Sequence, residues 1–190
     1  DLVHRRLPAA YGFDPVKEIQ VLAPMRRGLV GTDQLNALLQ ETLNPCDLPL
    51  IRMGRRFHLH DKVMQLRNNY DKEVFNGDVG TVAAIDLADQ TLVVDFEGRL
   101  IPYPFLDLDE LNIAYAVSVH KFQGSECPCI VMPVHTTHFA LLERNLLYTG
   151  VTRAKKLFVL VGTKQAVAIA VNNATAGTRH TGLKERLTNA

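Results

Sequence analysis

The chain has 190 residues, 47% of them hydrophobic, and a formal net charge of +1, so it can bury one sizeable core with a small insert and is too apolar to be disordered. A charge so near zero excludes a general electrostatic surface for nucleic acid, and any such contact must come from a local patch. No apolar run approaches the roughly 20 residues that span a bilayer, and the opening Asp1-Leu-Val-His-Arg-Arg is not a signal sequence; both point to a cytoplasmic chain with no membrane partner.

Residues 1–18 carry Pro8, Gly12 and Pro15 and read as a connecting arm. Ile19 to Ala23 is a short apolar strand closed by Pro24. A loop holding Arg26, Arg27 and Gly28 follows, where a glycine lets the backbone approach a phosphate closely. Thr32 or Asp33 then caps a helix whose Leu35, Leu38, Leu39 and Leu43 recur near the helical period, until Asn44-Pro45 stops it.

From about 55 to 105 the texture changes. Lys62 to Arg67, Val79 to Ile85 and Thr91 to Phe96 are short strand-like runs divided by turn signals at Asn68-Asn69, Asn76-Gly77-Asp78 and Glu97-Gly98. Brief strands at close spacing indicate a small antiparallel barrel. Arg52, Arg55, Arg56, Lys62, Arg67 and Lys72 make its opening half basic. Such strands serve equally as a solvated face or a nucleic-acid contact, and the residues do not choose between them.

After Leu106-Asp-Leu-Asp-Glu the α/β texture returns. Ala114 to Val119 is a buried strand that runs into the polar loop Ser118-Val-His-Lys-Phe-Gln-Gly-Ser-Glu126. Further strands are expected over Cys129 to Val134 and Lys156 to Gly162, with helices from about Ala140 to Ala154 and from Thr163, as N-cap, through Val171. Apolar strands alternating with helices indicate a parallel sheet covered on both faces. In such sheets ligands collect beyond the carboxyl ends of the strands, and the 118–126 loop offers a hydroxyl, an imidazole, an ammonium, an amide and a carboxylate there, a mixture suited to phosphates and sugars. The stretch from Arg144 to Lys164 holds five cations and no acid. Cys46, Cys127 and Cys129 lack the spacing of a zinc or redox site and read as reduced thiols, and no metal ligands are expected.

The 118–126 block resembles the fifth conserved motif of superfamily 1 helicases in its RecD-like form. Leu146-Leu-Tyr-Thr-Gly-Val-Thr-Arg153-Ala-Lys-Lys is similar to the sixth motif, and Val21-Leu-Ala-Pro-Met-Arg26-Arg-Gly28 to the fourth. Three blocks in family order over nearly the whole chain form a specific signal, and the tail Arg179 to Leu187 resembles the way many RecD-like chains finish. The resemblance implies a RecA-like parallel-sheet domain, the second motor domain of a P-loop NTPase fold, interrupted by an SH3-like barrel. It divides the chain into an arm and first part over 1–54, the barrel over 55–106, and the remainder over 107–190.

It also implies roles. Arg153 is an arginine finger acting across a domain cleft and Arg26 a second γ-phosphate sensor, with Arg27 the less favoured alternative. Gly124 and Glu126 close on the nucleotide at its phosphate and ribose, Gln123 relays its state, and Ser118, His120 and Lys121 grip single-stranded DNA through phosphates. On bare chemistry Arg153 is equally a cation complementing a helix C-terminus. The nucleotide assignments together require Arg26, Gly124 and Arg153 to line one shared edge of a sheet.

No Gly-x-x-x-x-Gly-Lys-Ser/Thr phosphate loop occurs, so ATP and Mg²⁺ are expected to be held mainly by an N-terminal RecA-like domain of a longer parent, and the chain alone is expected to be inactive. The family implies 5′ to 3′ travel and, for some members, recombination nuclease subunits as partners. A non-catalytic module for single-stranded nucleic acid is the rival reading, as is the motor half of a relaxase or an RNA helicase.

Overall fold

The computed structural model describes residues 1–28, 30–136 and 142–173. The arm is helical: a π-helical turn, Leu2–Arg6, runs into α1 (Leu7–Tyr11) and ends at Gly12 in the left-handed region with φ 72°. Val3, Leu7 and Phe13 are buried, which packs the arm onto the core. Strand β1 (Ile19–Ala23) is buried at every position, and α2 (Thr32–Leu43) returns after the arginine loop. A hairpin follows, β2 (Leu50–Arg52) with β3 (Arg55–Phe57).

The insert is a five-stranded antiparallel sheet. Its order is β7-β6-β5-β4-β8, from β4 (Lys62–Gln65), β5 (Val79–Asp86), β6 (Thr91–Phe96), β7 (Arg99–Pro104) and β8 (Leu111–Ile113). Strand β7 carries Pro102 and Pro104 at the sheet edge, where a missing donor is tolerated, and these prolines hide it from a propensity reading. Alternation along β6, with Leu92, Val94 and Phe96 buried, supplies the core together with Val63, Val82 and Tyr103.

The second sheet is parallel. Strands β9 (Ala116–Ser118), β10 (Cys127–Val134) and β11 (Ala154–Gly162) join β1 in the order β11-β10-β1-β9. Helices α3 (Arg144–Val151) and α4 (Lys164–Asn172) pack on each other and α3 on β10 and β11. The expected cap at Thr163 is present, its hydroxyl accepting from the Ala166 N–H at 3.2 Å. The described part of the helix expected over 140–154 begins at Arg144 and ends at Val151, and the tail 179–187 lies outside the described residues.

Two apolar clusters sandwich the sheet, one with Ile19, Val21, Leu39 and Val131, the other with Leu22, Ile130, Met132, Leu146 and Leu147. This is the α/β core with a small antiparallel insert that the strand and helix pattern implies. The outer edge of β9 is closed by α2: the Asn36 side chain donates to the Ala116 carbonyl at 2.8 Å and accepts from its N–H at 2.7 Å. Insert and core are joined by buried Asp61, whose carboxylate accepts from Gln40 at 2.6 Å, Asn44 at 2.9 Å, the His58 N–H at 2.7 Å and Tyr115 Oη at 2.9 Å. Buried carboxylates persist only when so satisfied.

Candidate functional site

At the carboxyl edge of the parallel sheet, β1 and β9 end side by side, Ala23 level with Ser118. The chain leaves β1 through Pro24 and turns at Arg26, Arg27 and Gly28 before entering α2. Gly31 holds this turn closed, because a methyl group there would collide with the Arg26 carbonyl oxygen. Arg26 and Arg27 are exposed, and Arg26 Nε lies 3.2 Å from both carboxylate oxygens of Asp33, in the first turn of α2. Arg26, Ser118 and Lys121 line one cavity of about 230 Å³.

From Ser118 the chain does not return along the same edge. Cys129 is level with Ile19, and Val131 and Ala116 are both level with Val21, so Ser118 stands six positions beyond the start of β10 at Cys127. At ~3.3 Å per residue this is roughly 20 Å. Residues 119–126 therefore cross the sheet from its carboxyl edge to its amino edge. Val119 and Phe122 are buried in the cluster beneath α3 and pin the crossing. Exposed His120 and Gln123 border a cavity of about 270 Å³ with Pro24, with Glu143 and Asn145 at the start of α3, and with Thr149 further along it.

The crossing ends beside Arg153. Gly124 has φ 91°, a conformation that favours glycine. Arg153 Nη1 donates to the Ser125 carbonyl at 3.3 Å, and the Arg153 carbonyl accepts from the Cys127 N–H at 3.0 Å. Arg153 Nε is buried with no hydrogen-bond partner among the described residues. Lys155 lies 3.6 Å from Glu126, an exposed pair that the basic composition of the segment did not single out.

Gly124 and Glu126 also border a cavity of about 540 Å³ between insert and sheet, with buried Lys62 on its wall. Lys62 Nζ donates to the Ile19 carbonyl at 3.2 Å. Burial pushes its ammonium down to about 8, an effect partly offset by Cys127 and Asp14. Burial raises the Cys127 thiol and pushes Cys129 up to about 11.

The structure thus sorts the expected residues into groups. Gly124, Glu126 and Arg153 meet at the amino edge; Arg26, Ser118 and Lys121 meet at the carboxyl edge; His120 and Gln123 stand along the crossing. The expectation that Arg26 shares an edge with Arg153 does not hold, since α3 and the strands run antiparallel and deliver Arg153 to the opposite end from the exit of β1. The motif spacing does not carry this information, because it does not say which end of the sheet each loop occupies.

Two family models match the chain: the ATP-dependent RecD-like DNA helicase SH3 domain over residues 35–96 and the UvrD-like helicase C-terminal domain over residues 113–161. A curated relative, the ATP-dependent RecD2 DNA helicase of Deinococcus radiodurans, is 37% identical over 89% of this chain. The chain belongs to the RecD-like helicases. It spans about a quarter of the length of such relatives, 23% of the Deinococcus protein and 29% of the RecBCD enzyme subunit RecD of Mycolicibacterium smegmatis, which is 29% identical over 90% of this chain.

The fold of this RecD-like chain is that of the Pif1 helicases. The structure of Bacteroides Pif1 in complex with ADP-AlF3 and single-stranded DNA superposes with a TM-score of 0.58 and 18% identity, covering 100% of this chain and 48% of that one. Candida albicans Pif1 superposes with a TM-score of 0.57 and 17% identity, over 98% and 52%. No helix among the described residues is long and apolar enough to cross a membrane. Among the described residues no group of three or more His, Cys, Asp or Glu is placed to hold a metal ion.

Proposed function

We propose that this chain is the second motor domain of an ATP-driven DNA helicase that translocates on single strands. The observation that carries the reading is the crossing of residues 119–126 from the strand exit at Ser118 to Arg153. One short connection has a nucleotide end, Gly124 to Glu126 beside Arg153, and a strand end, Ser118 and Lys121, with His120 and Gln123 between. Movement of the first on a triphosphate displaces the second, and alternation of the two yields grip and release.

In this reading Arg153 is an arginine finger. Its guanidinium is always charged and offers a planar fork of donors to phosphoryl oxygens as charge spreads over them. Gly124 allows the backbone near the γ-phosphate, and Glu126, on leaving Lys155, accepts from a ribose hydroxyl. Ser118, His120 and Lys121 contact phosphates of the strand without reading bases. ATP and Mg²⁺ are held mainly by an N-terminal RecA-like domain, because this chain supplies cations and a closing loop but no phosphate loop.

A role inside a recombination nuclease is the second reading, favoured by relatives named as RecBCD enzyme subunits. The relative of higher identity is named as a helicase in its own right, which favours an independent motor. Strand displacement by the intact protein tests the proposal: ATP-dependent opening of a duplex with a 5′ single-stranded tail is expected. Failure on both 5′- and 3′-tailed duplexes, with intact folding, overturns it.

A further inference from the structure

Lys62 is a lysine that the fold buries without a carboxylate. It stands first on β4 and is only 6% exposed, and its Nζ is held by one neutral group, the Ile19 carbonyl of β1 at 3.2 Å. Among the described residues it enters no ion pair, whereas Lys72 reaches Asp107 at 3.5 Å and Lys155 reaches Glu126 at 3.6 Å. Lysine is seldom buried unless paired. An apolar residue of similar volume would spare the junction of insert and core the cost of desolvating this charge.

The amine also lies on the wall of the cavity of about 540 Å³ between insert and sheet. That cavity is rimmed by exposed Lys17, Glu97, Arg99 and Lys155, so it opens to solvent. Four cations line it against the three carboxylates of Asp78, Glu97 and Glu126, and Glu126 is already engaged by Lys155. The balance favours a small anion. The thiol in the same wall, Cys127, is occupied elsewhere: it donates to the Glu18 carbonyl at 3.2 Å, and burial keeps it protonated.

We propose that this cavity is a modification site, in which the Lys62 amine is acylated by small acyl phosphates. The cations of the rim draw the phosphate of the donor, and its acyl carbon meets Nζ. The lone pair of the neutral amine forms the C–N bond. The bond from the acyl carbon to the phosphate oxygen breaks with its electron pair, inorganic phosphate leaves, and the proton released by nitrogen passes to water. The amide keeps one N–H for the Ile19 carbonyl and takes no charge into the buried wall, so it suits the site better than the ammonium. Burial supplies the reactive form: Lys62 is pushed down to about 8 from the ordinary 10.5, so its neutral fraction at pH 8 is on the order of 100-fold larger than that of an exposed lysine. The site needs neither nucleotide nor DNA.

Acetyl phosphate applied to the intact protein at pH 8, with peptide mass spectrometry over time, tests this. Lys17 and Lys155, on the same cavity, are the internal references. Lower basicity takes back part of the gain in neutral amine, and acetylation of Lys62 is expected to run roughly 10-fold faster than at either reference. In urea-unfolded protein the three lysines are expected to react alike. Folded protein in which Lys62 reacts no faster than the references overturns the proposal. So does an advantage that survives in urea, since it then comes from the local sequence and not from the cavity.

Discussion

Arg153 donates through Nη1 to the carbonyl oxygen of Ser125 across 3.3 Å. The group expected to meet the γ-phosphate is thus docked on the loop it is expected to move. On a triphosphate the guanidinium is expected to exchange one neutral carbonyl for charged oxygens, a stronger partner, and to release Ser125. Arg153→Ala in the intact protein is expected to lower DNA-stimulated ATP hydrolysis on the order of 10³-fold, the magnitude typical of an arginine finger. Oligonucleotide affinity without nucleotide should change little. A comparable loss of strand affinity in that variant would show that the amino edge also grips the strand.

His120 stands on the crossing, exposed and beside Pro24 and the start of α3. His120→Ala is expected to raise the oligonucleotide concentration needed for half-maximal ATP hydrolysis several-fold, as loss of one backbone contact does. Steady-state hydrolysis titrated with oligonucleotide reads this directly. An equal fall in the maximal rate, with half-saturation unmoved, would place His120 on the nucleotide side with Gly124.

Much of this arrangement is legible in the residues, and the illegible part has physical causes. The buried strands declare themselves because they are apolar and β-branched with turn signals behind them, as in Ile19 to Ala23 and Thr91 to Phe96. Strand β7 does not, since its edge position tolerates prolines that elsewhere end a strand. The helical arm is hidden by Pro8 and Pro15, although Pro8 stands where the π-helical turn Leu2–Arg6 gives way to α1. The motif resemblance raises the expectation that Arg26 and Arg153 meet phosphates. It cannot assign them to opposite sheet edges, because that depends on the strand order β11-β10-β1-β9 and on the 119–126 crossing.

Asp61 is expected to be the most sensitive junction between insert and core. Its carboxylate satisfies donors from α2, from the loop after it, from the segment before β4 and from Tyr115 ahead of β9. Desolvation beside Asp61 also raises the Tyr115 hydroxyl well above its ordinary value, keeping it a donor. Asp61→Ala leaves several buried donors without an acceptor, each worth about 1–3 kcal/mol, and should lower unfolding free energy by on the order of 3 kcal/mol or more. Urea denaturation followed by far-ultraviolet circular dichroism measures it. A loss below about 1 kcal/mol would mean that water replaces the carboxylate.

Lys62 gives a pH dependence of definite sign. Its folded-state value of about 8 lies below the ordinary 10.5, so between those values the unfolded chain binds more protons and stability rises with pH. Below pH 8 the cost of burying this group is present in full, and it fades progressively as pH rises from about 8 to 10.5. Cys127 and Cys129 act in the opposite sense, because thiols raised by burial stay protonated in the folded chain while unfolded ones ionise. The net curve is therefore flattened, and Lys62 is isolated by comparison with Lys62→Met. The advantage of that variant over the unsubstituted chain is expected to shrink by about 2–3 kcal/mol between pH 8 and pH 10, at ~1.36 kcal/mol per pH unit. Parallel stability curves from urea titrations across this range would show that Lys62 reaches water through the cavity at the amino edge and is not buried as charge.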